Sequence, residues 1–156
     1  MRELDRIDRK ILHFLQDEPD LSSTALAERV GISQSPCWRR LNRLQHEGII
    51  KGRYYELDRT KLGFDVVVFV QVKMGQYDRE VFEAFERAAC DIAEVQAVQL
   101  LLGDVDYRLR VVVRSIKEYD ELVRDRLLKL PGVREIQSSA VLKEVKDSRR
   151  LPITIR

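Results

Sequence analysis

The sequence predicts an α+β fold in two parts: an N-terminal three-helix winged helix-turn-helix, then a ferredoxin-like β-α-β-β-α-β sandwich with an antiparallel sheet. Two observations predict it. Apolar residues keep helical spacing in three short segments before Gly48, and strand-like and helical segments alternate after Gly63. The 156 residues, of which 44% are hydrophobic, are enough for two small domains that each bury a core.

The composition gives the chain no strong overall attraction to nucleic acid or to a membrane. Charged residues make up 35% of the sequence, and the net charge is only +2. The first ten residues contain no apolar signal core, and the longest apolar run, residues 66–70, is far shorter than a bilayer span. We therefore expect a cytoplasmic protein that has no membrane partner.

The first two helices are predicted from apolar spacing and from the residues that end each run. Apolar residues in 4–15 recur at helical steps, and the Glu-Pro-Asp sequence at 18–20 ends that run. Ser22 is placed to cap a second short helix that continues to Val30. A Gly-Ile turn at 31–32 then leads into a third helix.

The third helix is predicted between Ser33 and Gly48 and has two different faces. One side is apolar and the other is cationic, because Cys37, Leu41 and Leu44 share one side with Trp38 on its flank, while Arg39 and Arg43 lie nearly opposite and Arg40 sits on a shoulder. Ser33 or Ser35 can cap the helix, Pro36 is tolerated in the first turn, and Gly48 can end it. We expect Trp38 to join the core rather than to stack on a base.

This order of helix, tight glycine turn and helix is the arrangement that lays a second helix in the major groove of DNA. A basic helix face alone is more often only solvated, but the preceding helix, the turn and the caps favour DNA. The residues after Gly48 are rich in β-formers and predict a wing, either a hairpin or a single strand. The candidate DNA contacts are Gln34, Ser35, Arg39, Arg40 and Arg43 on the helix, with Lys51 and Arg53 on the wing.

The predicted domain organisation is a winged helix-turn-helix at 1–53, a wing strand and linker at 54–64, and the sandwich at 65–156. The sandwich is predicted from four strand-like runs and two capped helices: strands at 65–73, 96–102, 107–113 and 134–146, one helix after Asp78, and one after Ser115 with Ile116 inward. The Gly103 to Asp106 segment joins the middle strands as a hairpin.

The helices of such a sandwich cover only one face of the sheet, so the other face needs a partner. The short tail 148–156 is too little material, and we expect a second copy of the chain to meet it sheet to sheet. Cys37 and Cys90 both fall on apolar helix faces, which predicts two reduced, buried thiols. With the scattered His13 and His46 they form no metal-binding constellation, and we expect no metal and no cofactor.

Four segments of the chain resemble the leucine-responsive regulatory protein and AsnC (Lrp/AsnC) family of bacterial and archaeal transcription regulators. They are LDRIDRKIL near the start, LAERVGISQSPCWRRLNRLQHEGII through the third helix, GDVDY in the hairpin and LPGVREIQSSAVLKEVK near the end. The Ser-Pro-Cys step after the glycine turn, followed by an Arg-rich helix and Gly-Ile-Ile, is the most specific part of the match.

The resemblance implies a DNA-binding regulator that dimerises through its sheet, assembles further into tetramers or octamers, and binds a small effector, commonly an amino acid, between subunits. Carried over by position, the effector site comprises Gly103, Asp104, Asp106 and Tyr107, with Ser138 contributed by a neighbouring chain. Loop N–H groups suit an α-carboxylate, and aspartate and serine oxygens suit an ammonium group. On sequence chemistry alone, Asp104 and Asp106 also fit a simple Asx turn.

Three residues depart from the family pattern. Leu102 replaces a small or hydroxylated residue, Val105 replaces a frequent aromatic, and Arg59 stands where many relatives have proline. The first two changes make the rim of the predicted effector site bulkier and less polar. The third change bears on the stiffness of the linker.

Two other function classes are open to the sequence. An enzyme could use Asp104 and Asp106 as an acid/base or metal pair, but the sequence shows no nucleophile with its base and no glycine-rich phosphate loop. An architectural DNA-binding protein would ignore both sequence and effector, and would bind specific and random duplexes about equally. We expect a sequence-specific regulator of double-stranded DNA, not an enzyme.

Overall fold

A computed structural model describes residues 3–155 and divides the chain into two compact units. The first unit runs to Glu56 and also contains the segment from Lys146 onward, whereas the second unit is Leu57–Val145. From the sequence, we predicted that this C-terminal segment belongs to the sandwich. No periodic pattern marks the segment, so its packing partner cannot be read from local spacing.

Three helices form the first unit: α1 at Arg6–Asp17, α2 at Ser23–Val30 and α3 at Gln34–His46. All three lie where the apolar spacing predicts them. Their inward residues form one core, which consists of Ile11, Leu12, Leu26, Ala27, Val30, Cys37, Leu41 and Leu44. Burial of this apolar surface holds the three helices together.

The predicted start and stop residues of these helices act largely as expected. The Ser22 hydroxyl accepts a hydrogen bond from the N–H of Ala25 at 3.1 Å, and Gly31 ends α2 with a φ of 82°. Gly48 follows α3 with a φ of 70°, a conformation that favours glycine. Ser33 occupies the N-cap position of α3, but its hydroxyl makes no capping bond.

The C-terminal segment is fastened to α1. The Gln16 amide donates to the carbonyl of Leu151 at 3.1 Å and accepts from the N–H of Leu151 at 2.6 Å. Arg150 pairs with Asp17 through both carboxylate oxygens, and Ile153 packs against the helical core. These contacts explain why this segment belongs to the first unit.

The predicted wing strand is absent from the structure. The N–H groups of Ile49 and Ile50 both donate to the carbonyl of Leu44, at 3.0 and 3.1 Å, and residues 51–57 then run exposed without strand pairing. The β-rich composition predicted a strand, but a strand needs a hydrogen-bonding edge beside it. No strand of the described chain, residues 3–155, pairs with this segment.

The second unit has the predicted β-α-β-β-α-β order. Its elements are β1 at Val66–Met74, α4 at Arg79–Cys90, β2 at Val95–Leu100, β3 at Tyr107–Val113, α5 at Ile116–Asp125, a short 3₁₀ turn at Leu127–Lys129, and β4 at Val133–Ala140. The strands form one antiparallel sheet in the order β2-β3-β1-β4, which confirms the ferredoxin-like prediction. The last strand ends at Ala140, six residues earlier than predicted.

One face of this sheet carries the core of the second unit. The β1 residues of this core, Val68, Val70, Val72 and Met74, alternate along the strand, and Phe85, Tyr107 and Leu109 belong to the same core. Two predictions of inward residues were wrong. Ile116, the first residue of α5, is 57% exposed, and Cys90, the last residue of α4, is exposed, because both lie at helix ends where the apolar stripe has left the sheet.

The second face of the sheet is more polar than a typical core face. Arg108 lies over the ring of Phe69, with its guanidinium carbon 5.6 Å from the ring centroid, and donates to the Gln99 amide oxygen at 2.7 Å. Arg110 pairs with Glu144 at 3.5 Å. This polarity makes the face compatible with water as well as with a partner.

Arg59, which replaces a frequent proline in the linker, fixes this segment by hydrogen bonding. Its guanidinium donates to the carbonyls of Phe64 and Asp65 at 2.9 and 3.2 Å, and it pairs with Glu144 at 3.3 Å. The linker next to the sheet is therefore held by hydrogen bonds and an ion pair rather than by the rigid ring of a proline.

None of the helices in residues 3–155 combines the length and apolar character needed to cross a bilayer.

Candidate nucleic-acid interface and effector loop

The outward face of α3 is formed by side chains one turn apart. Cys37, Leu41 and Leu44 are 0%, 9% and 0% exposed and complete the underside of the helix. On the opposite side Ser35, Trp38 and Arg39 are exposed, and Asn42 is partly exposed. We call these four residues the outward face of α3.

Trp38 lies on this face and not in the core as predicted, because its side chain is 55% exposed. The core of this unit includes Cys37, Leu41 and Leu44 of α3 and does not include Trp38. Trp38 and Asn42 are therefore surface groups of α3 that were not predicted from the sequence. The signal was available, since Trp38 and Asn42 are four residues apart and both lie away from Leu44 on a helical wheel.

The five predicted cations of this region fall into two groups. Arg39 is exposed and has no ion pair or hydrogen bond with another described residue of the chain, and Lys51 and Arg53 are exposed on the segment after α3. Arg40 and Arg43 are instead engaged by acidic residues of the first helix. The structure thus separates three cations that face solvent from two that face the protein.

The acidic partner of Arg40 and Arg43 is Asp8, which is only 1% exposed. Nη1 of Arg40 lies 2.8 Å from one Asp8 carboxylate oxygen, and Nη2 of Arg43 lies 2.6 Å from the other. Arg40 also pairs with Asp5. We call Asp5, Asp8, Arg40 and Arg43 the Asp8 cluster.

The start of α1 is built around the same acids. Asp5 caps the helix by accepting from the N–H of Asp8 at 2.9 Å, and the Asp8 carboxylate accepts from the N–H of Asp5 at 3.2 Å. The hydrogen bond from the backbone of Asp8, assisted by Arg40, holds the pKa of Asp5 below its ordinary value. Hydrogen bonds to Asp5 and Asp8 raise the pKa of Arg40, so this guanidinium stays charged.

Gln34 and Ser35 stand at the start of α3, where a groove-binding helix meets base edges. Both are exposed, and the Gln34 amide is within 3.4 Å of the Ser23 hydroxyl of α2. This long hydrogen bond joins the first turns of the two helices. Of the predicted contacts on α3, Gln34, Ser35 and Arg39 are exposed, whereas the Arg40 and Arg43 side chains are 30% and 29% exposed.

The predicted effector residues are spread over the hairpin and the last strand. Gly103 and Asp104 are exposed in the loop between β2 and β3. Asp106 is bound within the protein, because its carboxylate accepts from the N–H of Met74 at 2.7 Å and from the Tyr77 hydroxyl at 3.3 Å. The latter bond raises the pKa of Tyr77.

Tyr107 and Ser138 also have partners within the chain. Tyr107 is 1% exposed and donates to Glu86 at 2.7 Å, and burial together with this bond raises the pKa of its phenol. The Ser138 hydroxyl bonds that of Tyr119 on the helix side of the sheet. In the sheet, β1 separates the strands of Tyr107 and Ser138, so one chain does not bring all five predicted residues together.

Comparison with protein families gives two matches, one near the start of the chain and one after it. Residues 4–51 match the winged helix-turn-helix DNA-binding model, and residues 67–151 match the Lrp/AsnC ligand binding domain. The leucine-responsive regulatory proteins of Escherichia coli K12 and Serratia marcescens are each 39% identical to this chain over 155 residues, which cover 99% of the chain and 94% of each relative.

Solved structures show the same similarity. An AsnC family transcriptional regulator from Agrobacterium tumefaciens superposes with a TM-score of 0.90 at 36% identity, covering 95% of this chain and 96% of that one. A transcriptional regulator from Neisseria meningitidis in complex with L-Met gives a TM-score of 0.90 at 34% identity, covering 96% and 97%.

The Asp8 cluster leads to a stability prediction. Replacing Asp8 by Asn leaves two partly buried guanidinium groups without their shared anion, which lowers the free energy of unfolding of the first unit by about 2 kcal/mol. Urea unfolding followed by circular dichroism measures this change. Asp20→Asn, an exposed change of the same charge, serves as the control, and equal unfolding midpoints for the two variants would contradict a structural role of Asp8.

Proposed function

Because the chain belongs to the Lrp/AsnC family of transcription regulators, we propose that it binds specific sites on double-stranded DNA through α3 and that a small effector, an amino acid, modulates that binding or the oligomeric state. The protein acts in the cytoplasm, where its DNA target is. The observation that carries the proposal is the outward face of α3, on which Arg39 is exposed, in a unit that matches a winged helix-turn-helix DNA-binding model.

The geometry of α3 supports insertion into the major groove. A helix supported from behind by two others can enter the groove with its first turns against the base edges. Arg39 extends from this face, and a guanidinium group can bind O6 and N7 of guanine together. Lys51 and Arg53, on the exposed segment after the helix, are suited to phosphate contacts that fix the helix on the duplex.

Arg40 and Arg43 take a different part in this proposal. Both were predicted from the sequence to face DNA, but their ion pairs with the buried Asp8 support a positioning function instead. The paired nitrogens, Nη1 of Arg40 and Nη2 of Arg43, could contact DNA only by leaving a carboxylate that is 1% exposed. Breaking the ion pair would leave the buried Asp8 carboxylate without its counter-charge, which would lower the free energy of unfolding. We therefore assign DNA contact to the solvent-facing cations and orientation of the helix to Arg40 and Arg43.

A second copy of the chain completes the proposed assembly. The second face of the sheet carries Phe69, Gln71 and Arg108, which lie outside the buried core, and β4 lies at an edge of the sheet. Near the hairpin loop Leu100, Leu101 and Leu102 are all exposed. Apolar side chains grouped in this way support contact with another subunit, and we propose a homodimer that assembles into a tetramer or octamer.

The proposed effector site is the loop that contains Gly103 and Asp104. Its peptide N–H groups can bind an α-carboxylate and the Asp104 carboxylate can bind an ammonium group. Asp106 and Tyr107 hold the base of this loop, and Ser138 is proposed to reach it from a neighbouring subunit. The complex of the Neisseria meningitidis relative with L-Met supports an amino acid as the ligand class, and the exposed Leu102 favours one with an apolar side chain.

The DNA proposal is tested with a duplex selected by the purified protein from random sequence. At fixed salt we expect the selected duplex to bind at least a thousandfold more tightly than a scrambled one. A ratio close to one would show an architectural protein that ignores sequence, and would contradict the proposal.

Arg39→Ala should weaken binding to the selected duplex about tenfold, because the guanidinium contact to a base edge is lost. Fluorescence anisotropy with labelled duplex measures the dissociation constant. Arg87→Ala, which removes an exposed arginine from α4 in the second unit, should leave it nearly unchanged. If the Arg39 variant binds as tightly as the Arg87 variant, the groove assignment is wrong.

The effector proposal is tested by thermal shift with single amino acids on the full-length protein. A ligand that binds only the folded protein raises its Tm. In Asp104→Ala, at least ten times more of the best ligand should be needed to give the same rise in Tm. The DNA affinity measured without ligand should be unchanged. Asp125→Ala, an exposed change in α5, is the matched control. An unaltered response in the Asp104 variant would remove this residue from the site.

A further inference from the structure

Trp38 is the one tryptophan of the sequence, and it stands on the outward face of α3 with 55% of its surface exposed. An indole is the largest apolar group that a protein has, and it gains the most from burial. Trp38 is not a member of the helical core, and more than half of its surface stays in contact with water.

The neighbours of Trp38 on this face are polar. Ser35 lies one turn before it, Asn42 one turn after it, and Arg39 beside it. Within residues 3–155, Trp38 makes no ring-to-ring contact and no cation–π contact that would hold it in place. The outward face thus presents a single apolar side chain among hydrogen-bonding ones.

The floor of the major groove has a matching composition. It presents hydrogen-bond donors and acceptors and one kind of apolar group, the C5-methyl of thymine. The bases of an intact duplex are stacked, so a side chain that enters from the groove meets base edges and not ring faces. An indole on a groove-binding helix is therefore suited to a thymine methyl group rather than to stacking.

We propose that Trp38 is a specificity-determining residue that recognises thymine, through its C5-methyl group, at one position in each half of the DNA site. This inference rests on the proposed function, since it requires α3 to lie in the major groove. Arg39, the adjacent residue, reaches a neighbouring base pair, because one residue of helix advances less than one base step. The site should therefore contain a thymine close to a guanine.

The test replaces each thymine of the selected duplex, one at a time, by uracil, which lacks only the methyl group. With the wild-type protein one position per half-site should lose about fourfold in affinity, the value expected for one buried methyl group. In Trp38→Ala, uracil at that position should cause no further loss. Trp38→Phe, which keeps an aromatic ring, should retain part of the discrimination.

Two results would overturn this inference. One is a wild-type protein that binds every uracil duplex as tightly as the thymine duplex, and the other is an equal uracil effect in the wild-type and Ala variants. If no duplex is selected over random DNA, the proposed function fails and this inference fails with it, whereas selection without any methyl effect overturns the inference alone.

A second measurement uses only the wild-type protein, so it does not require any variant to fold. Because Trp38 is the one tryptophan in the sequence, the emission of the wild-type protein reports on this side chain. Saturation with the selected duplex should shift the emission to shorter wavelength or quench it, since the groove replaces water around the indole. Emission that stays unchanged at saturation would also overturn the proposal.

Discussion

The DNA-binding unit depends on one buried carboxylate. Asp8 of α1 is shielded from water and is neutralised by two guanidinium groups that both come from α3. A buried charge is tolerated only when it is paired, so each helix needs the other in its present position. Hydrophobic packing brings the helices together without fixing their rotation exactly, whereas these directional ion pairs restrict it.

The consequence of this restriction appears on the opposite side of α3. Arg40 and Arg43 are three residues apart and bind the two oxygens of one carboxylate, so the helix cannot turn about its axis without breaking one of the bonds. That orientation directs Trp38, Arg39 and Asn42 outward. Two of the predicted DNA contacts, Arg40 and Arg43, are thus paired with Asp8, whereas Arg39 lies on the exposed face with Trp38 and Asn42.

Much of the fold could be predicted from the sequence because periodicity and end signals are local. Apolar spacing and the caps Ser22, Gly31 and Gly48 located the three helices, and alternation located the four strands. Tertiary pairing could not be predicted in the same way. Asp8 and Arg40 are 32 residues apart, and no local pattern links them. The prediction of a wing strand was wrong for a related reason. A composition rich in β-formers does not show whether another strand lies beside the segment to pair with it.

The effector residues show the same limit. Gly103, Asp104, Asp106 and Tyr107 are neighbours in the sequence, which suggested one common site. In the structure Asp106 binds the end of β1 and Tyr107 is part of the core, so these two support the loop on which Gly103 and Asp104 are exposed. Successive side chains of a strand point to opposite faces of the sheet, and side chains in a turn can point away from both faces. Residues that are adjacent in the sequence therefore need not share a site.

The most direct test is a crystal structure of the full chain bound to its selected duplex. The account predicts that Trp38 and Arg39 contact base edges in the major groove while Arg40 and Arg43 keep their ion pairs with Asp8. A complex in which Arg40 and Arg43 leave Asp8 to bind DNA, with Trp38 turned away from the bases, would contradict it.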